Sequence, residues 1–202
     1  MHHHGRSGVE RGAGESLIAE VAETRLIGLI AKEDLPAFET LYRMYFPRLT
    51  RFLGRMTRSA SVIEEVINDT MLVVWQKAGS FDGRSKLSTW IFAIAYRKAL
   101  KAMQAFDEPV ESDFESYPDL NAPQPEGELE QRQLQVMLAG ALAALPLEQR
   151  SVVCLAYYHG MDYQEIAAVM DCPVNTVKTR MFHARRRMKD MLGTRLEDRR
   201  GG

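Results

Sequence analysis

Along most of this chain apolar residues return every third or fourth position, which is the spacing of one face of a helix. Leu17–Ala31 has that spacing. Asp34 precedes a second such stretch as its cap, with Pro36 in the first turn. Phe38, Leu41, Tyr42, Tyr45, Leu49, Phe52 and Leu53 give it an inner face. A third stretch starts at Ser61, where Glu64 stands at capping-box distance. Its apolar side is Val62, Val66, Ile67, Thr70, Met71, Val74 and Trp75. Ala78–Lys86 is rich in Gly, Ser and Asp and reads as a loop. Leu87–Ala105 is helical again, with Trp90, Ile91, Ile94 and Ala95 near its start. Leu134–Leu145 is an Ala/Leu helix stopped by Pro146, and Leu147–Tyr158 is a further helix ending at Gly160. No stretch alternates with the period of a strand, and no repeat is visible. The expected fold class is all-α, with two small helical domains at about 16–105 and 131–193.

The segment Asp162–Met188 has the most specific pattern. Asp162 caps a short helix, Glu165 completes a capping box, and Ile166, Ala167 and Met170 form its inner face. Asp171-Cys172-Pro173 breaks it, and Pro173 suits the start of the next helix. There Val174, Val177, Met181, Ala184 and Met188 form the buried stripe. Two helices around a tight break, the second with a polar and basic outer surface, make a helix-turn-helix. Such a motif puts the N-terminal end of its second helix into a major groove. Asn175, Thr176, Thr179 and Arg180 are the candidates for base edges, and Lys178, His183, Arg186 and Arg187 for phosphates. Arg185 lies beside the buried stripe and is expected to be structural. A helical hairpin with a solvated basic face is the bland alternative.

Charge changes this picture. The chain of 202 residues carries a net charge of only -1, but its charges are segregated. Residues 37–105 hold eleven Lys/Arg against five Asp/Glu, a net of +6. Residues 106–130 hold nine acids, four prolines and no base, and residues 171–202 hold nine bases against four acids, a net of +5. Two basic blocks around an acidic one suggest contact with nucleic acid at two places. The acidic segment has little periodicity and is expected to be a flexible linker. Residues 1–15, which include His2-His3-His4, are expected to be a disordered tail or tag, and 194–202 a tail. The two cysteines, Cys154 and Cys172, give no disulfide framework and no zinc spacing, and Cys154 is expected as a buried core thiol. No metal or cofactor is expected, because the internal histidines His159 and His183 do not belong to a ligand constellation. The same absence counts against a helical metal-dependent hydrolase. With no apolar run long enough for a membrane span and no signal peptide, membrane insertion is not expected and a cytoplasmic location is.

Both halves, in this order, resemble bacterial RNA polymerase sigma factors of the extracytoplasmic-function type, over roughly residues 26–192. AFETLYRMYFPRLTRFL is similar to region 2.1, SVIEEVINDTMLVVWQKA to region 2.2, and FDGRSKLSTWIFAIAYRKALKA to regions 2.3 and 2.4. LAALPLEQRSVVCLAYYHGMDYQEIAAVMDCPVNTVKTRMFHARRRM is similar to region 4, with the family's signature at Thr176–Arg180. Tyr96-Arg97-Lys98-Ala99-Leu100-Lys101 departs from the Arg-Asn pair and Asp usual after region 2.3, so no minus-10 base preference carries over. The resemblance implies a protein that is not an enzyme. It implies binding to core RNA polymerase through the beta and beta-prime subunits, and promoter DNA as a duplex at minus 35 and a single strand at minus 10. It also implies an anti-sigma partner. A stand-alone helix-turn-helix regulator is the alternative, and it leaves 61–105 unexplained.

The resemblance gives each segment a task. On 61–77, Glu64, Glu65, Asn68 and Asp69 are the candidates for docking on polymerase, where carboxylates meet basic residues. The loop and helix start hold Phe81, Arg84, Ser85, Lys86, Ser88 and Trp90, the residue types that hold a single strand by stacking, hydrogen bonds and charge. Phe81 and Trp90 suit either stacking or the core. Arg97, Lys98 and Lys101 are candidates for phosphates beside minus 10. A linker of this length reaches roughly 85 Å when extended. Two DNA elements two turns apart are about 70 Å from each other. Its acids suit a loose nucleic-acid mimic, a solubilising spacer, or a strap that folds back on the basic faces.

Overall fold

The computed structural model describes residues 7–105 and 128–198, with side chains from 18 to 105 and from 134 to 193. Every described element is helical: α1 Ser7–Ile30, α2 Leu35–Leu53, α3 Ala60–Lys77, a 3₁₀ turn Ala78–Ser80, α4 Leu87–Ala105, α5 Glu128–Ala143, α6 Leu147–His159, α7 Tyr163–Met170 and α8 Val174–Asp198. The all-α expectation therefore holds. The expected linker falls almost entirely on 106–127, outside the described residues, and so do the histidines near the N-terminus. Three ends differ from expectation. α1 begins at Ser7 rather than near Leu17, α5 begins at Glu128 rather than near Leu134, and α8 continues to Asp198 through residues expected as a tail.

Local signals account for most boundaries. Asp34 caps α2 by accepting from the Ala37 N–H at 2.8 Å. α3 is capped by Ser59 instead of Ser61: Ser59 Oγ accepts from the Val62 N–H at 3.4 Å, while the Ser61 hydroxyl bonds to that of Ser59. Asp162 accepts from the N–H groups of Gln164 and Glu165 at 2.8 and 2.9 Å, and Glu165 returns a bond from the Asp162 N–H at 2.9 Å. That reciprocal box contributes about 1 kcal/mol to holding α7. Gly160 ends α6 in the left-handed region at φ 63°, where a side chain is disfavoured. Asp171 adopts the same region at φ 50° and closes α7 with its N–H on the Ala167 carbonyl.

The helices α1–α4 bury Leu41, Tyr45, Leu49, Phe52, Ile67, Met71, Val74, Ile91 and Phe92. α6–α8 bury Val152, Cys154, Leu155, Ile166, Val169, Val177, Met181 and Ala184. Cys154 is a core thiol as expected, and burial pushes its pKa up to about 12. Inside the first group Glu23 of α1 is nearly buried. It accepts from the Tyr45 hydroxyl at 2.8 Å and from Arg48 at 3.0 Å, which ties α1 to α2. The two groups share one apolar cluster, because α4 lies against α3 on one side and α7 on the other, and α2 meets α6. Thr89, Phe92, Ala93 and Tyr96 are all buried on α4, so this helix has a second buried side that its apolar periodicity does not announce.

Candidate nucleic-acid interface

A cleft of about 390 Å³ opens between α3 and α4, lined by Val73, Lys77, Ser80, Trp90, Ile94, Arg97 and Lys98. Three of these, Trp90, Arg97 and Lys98, are sequence candidates for the minus-10 strand. Lys77 and Ser80 were missed, because the lysine sits at a helix end and the serine in the 3₁₀ turn, and neither belongs to a motif. Trp90 is half-buried against Phe81, with ring centroids 5.5 Å apart. Both rings pack against the core cluster, and Trp90 also borders the cleft. Arg97 and Lys101 are exposed. Lys98 is not free, since its ammonium is 2.7 Å from the Asp69 carboxylate. Arg84 pairs with Asp82 at 3.2 Å in an exposed loop, and Ser85 is exposed beside it. Ser88 is half-buried.

The exposed side of α3 carries Glu64, Glu65, Asn68 and Asp69. Asn68 accepts from the Tyr42 hydroxyl at 3.0 Å, and Asp69 is engaged by Lys98, so Glu64 and Glu65 are the more available pair. Leu72 emerges from the same side, 52% exposed. Its position among the acids of one face follows from the 100° turn per residue, and it supplies apolar area there.

On α8 the buried stripe is as expected, with Val177, Met181 and Ala184 inside and Val174 and Met188 partly covered. Asn175, Lys178, Thr179, His183, Arg186 and Arg187 are exposed, and Thr176 is half-buried. Thr179 donates its hydroxyl to the Asn175 carbonyl at 2.9 Å. Arg180 is held: one guanidinium nitrogen is 3.2 Å from Glu148 of α6 and another 3.6 Å from the Cys172 sulfur. Arg185 donates to the Tyr157 hydroxyl at 2.9 Å, which is the structural role expected of it. Phe182 was missed. It is 63% exposed and shares a face with Asn175, Thr179 and Arg186, at the spacing of successive turns. The available signal was an aromatic outside the buried stripe.

The two surfaces meet through Glu165. One oxygen of this carboxylate is 3.1 Å from the Lys86 ammonium and 3.4 Å from the Thr89 hydroxyl, while the other completes the α7 capping box. The hydrogen bond to Glu165 holds the Lys86 pKa above its ordinary value. Beside this contact, His159 at the end of α6 lies between Phe52 and Phe92, with centroids 5.9 and 4.6 Å away. Burial, aided by Arg48 and Arg51, lowers its pKa to about 4. Its Nε2 is buried with no hydrogen-bond partner among the described residues. Arg55 lies over the Tyr158 ring at 5.1 Å.

Comparison with known proteins agrees with this layout. Residues 41–117 match the family model for sigma-70 region 2, and residues 135–188 match that for sigma-70 region 4. The chain is 32% identical over 157 residues to the ECF RNA polymerase sigma factor RpoE of Cereibacter sphaeroides, spanning 77% of this chain and 86% of that one. It is 30% identical over 176 residues to the ECF RNA polymerase sigma-E factor of Escherichia coli K12, spanning 82% and 92%. The sigma factor RpoE of Bartonella quintana, solved with the anti-sigma factor NepR, superposes with a TM-score of 0.60 at 25% identity, covering 77% of this chain and 96% of that one. CnrH, solved with the cytosolic domain of CnrY, superposes with a TM-score of 0.63 at 21% identity, over 86% and 98%, and shares the fold.

Proposed function

This chain belongs to the ECF sigma factors of bacterial RNA polymerase, and we propose from that premise how its residues divide the work of starting transcription at chosen promoters. The first domain, 16–105, binds core polymerase and the minus-10 strand, and the second, 131–193, reads the minus-35 duplex. The observation that carries the reading is the basic, aromatic-edged cleft beside α4 on a chain that also presents an exposed recognition helix. Stacking on Trp90 and charge from Arg97, Lys101 and Lys77 suit a displaced single strand. Asn175 and Thr179 face base edges, with Phe182 placed for apolar contact with a thymine methyl, while Lys178, Arg186 and Arg187 take phosphates. Glu64, Glu65 and Leu72 form the docking face for the polymerase beta-prime subunit, and beta contacts the second domain. The chain makes and breaks no covalent bond. It selects a site and stabilises the opened strand, and it acts in the cytoplasm, where polymerase is.

A relative solved with an anti-sigma factor supports a regulatory partner of that kind here. The test is run-off transcription from a pool of genomic fragments by purified core polymerase with and without the protein. Specific transcripts that depend on the protein are expected. A stable complex with duplex DNA but no core complex and no transcript would instead favour the stand-alone regulator.

A further inference from the structure

We infer that Arg180 is a positioning residue for minus-35 recognition: clamped between Glu148 and Cys172, it fixes the roll of α8 so that Asn175 and Thr179 meet the bases, and it touches no DNA itself. This rests on reading α8 as the helix that enters the minus-35 groove. An arginine at this place in the motif suits a base contact equally well, and the geometry decides between the two. One guanidinium nitrogen is 3.2 Å from a Glu148 carboxylate oxygen, and another is 3.6 Å from the Cys172 sulfur. The Arg180 side chain is only 22% exposed, whereas Asn175, Lys178 and Thr179 beside it are exposed. A single side chain thus joins three parts of the motif. Glu148 lies in the first turn of α6, Cys172 in the break after α7, and Arg180 is the seventh residue of α8.

Apolar packing alone leaves that joint loose. The seam of α8 is Val177, Met181 and Ala184, and burial is non-directional, so it holds the helix down without fixing its rotation. Met181 adds little precision, because an unbranched thioether adapts to several arrangements. A roll of about 20° carries an atom roughly 5 Å from the helix axis through nearly 2 Å, enough to break a hydrogen bond to a base edge. A planar guanidinium anchored on two other elements resists that roll, where a flexible ammonium does not. The Glu148 side chain is 60% exposed, so the ion pair adds little to stability, and its value is directional. Pairing also neutralises Arg180, which leaves Lys178, Arg186 and Arg187 to supply the charge for phosphates.

The test uses the full chain. Duplexes are selected with it from a randomised pool, and affinities for the selected duplex and its single-base variants are measured by anisotropy. Arg180→Lys keeps the charge but loses the fork, and Glu148→Ala removes the anchor from an exposed position. Each should shrink the discrimination between selected and variant duplexes by about three- to tenfold, at the base pairs whose reading also depends on Asn175. In an Asn175→Ala background neither should shrink it further at those pairs, since Arg180 acts there through that residue. If Arg180→Lys fails to fold, judged by its helical dichroism, Glu148→Ala still decides. A lower melting temperature with discrimination intact would mark a merely structural pair and overturn the inference. Greater discrimination in Glu148→Ala, where Arg180 is released toward the groove, would make Arg180 a base contact and overturn it too. A pool that yields no preferred duplex is a different failure: it defeats the minus-35 reading itself, and the positioning role falls with it.

Discussion

His159 is the residue where competing effects are easiest to weigh. It ends α6, where the helix dipole would favour its charged form. Desolvation between two phenyl rings, with Arg48 and Arg51 nearby, opposes this and wins, so the folded pKa falls to about 4 from 6.5. The sign follows from proton uptake. Between those two values the unfolded chain binds a proton that the folded chain refuses, so stability is full above about pH 6.5 and declines as the pH falls toward 4. The urea midpoint should therefore drop between pH 7 and pH 5, and His159→Phe should flatten that slope. An equal slope in both proteins would place the titration elsewhere. Glu165 shows the opposite economy: one carboxylate caps α7 with one oxygen and binds Lys86 and Thr89 with the other. The first task could be read in the sequence from its spacing to Asp162. The second could not, because its partners are 79 and 76 residues away.

At the scale of elements, legibility tracks locality. α2, α6 and α7 have boundaries where Asp34, Gly160 and Asp162 place them, since caps and breakers act within a turn. α3 starts two residues early by the cap, because Ser59 and Ser61 offer the same hydroxyl and Glu64 made the wrong one look like a box. The second buried side of α4 was illegible, because Thr89, Ala93 and Tyr96 are not a hydrophobic stripe and their burial depends on α7. For α4, Trp90→Ala should weaken single-strand binding by about 1–3 kcal/mol, and Trp90→Phe by less, because a ring still stacks. Anisotropy with oligothymidine measures both, and equal losses would show that Trp90 serves the core alone. For α8, Lys178→Ala should weaken binding to every minus-35 duplex alike and reduce the slope of log affinity against log salt by about one. Asn175→Ala should instead relax preference among duplexes while leaving the salt slope unchanged.

For the whole molecule, two groups of helices are joined by shared packing. The acidic segment stands between the two groups of helices, and yet one apolar cluster is shared by both. Phe92 explains how. It packs beside Phe52 within the first group of helices, at 5.3 Å, and also forms the seat for His159 of the second. A side chain that is core to one unit and interface to the other couples their unfolding. Calorimetry should thus register a single cooperative transition in low salt, where Lys86 stays paired with Glu165. It should resolve into two transitions in Glu165→Gln at high salt, with the lower one belonging to α6–α8, whose core is smaller. Heat therefore meets one unit where the chain has two: each half lends the other its endurance for as long as Phe92 is shared between them.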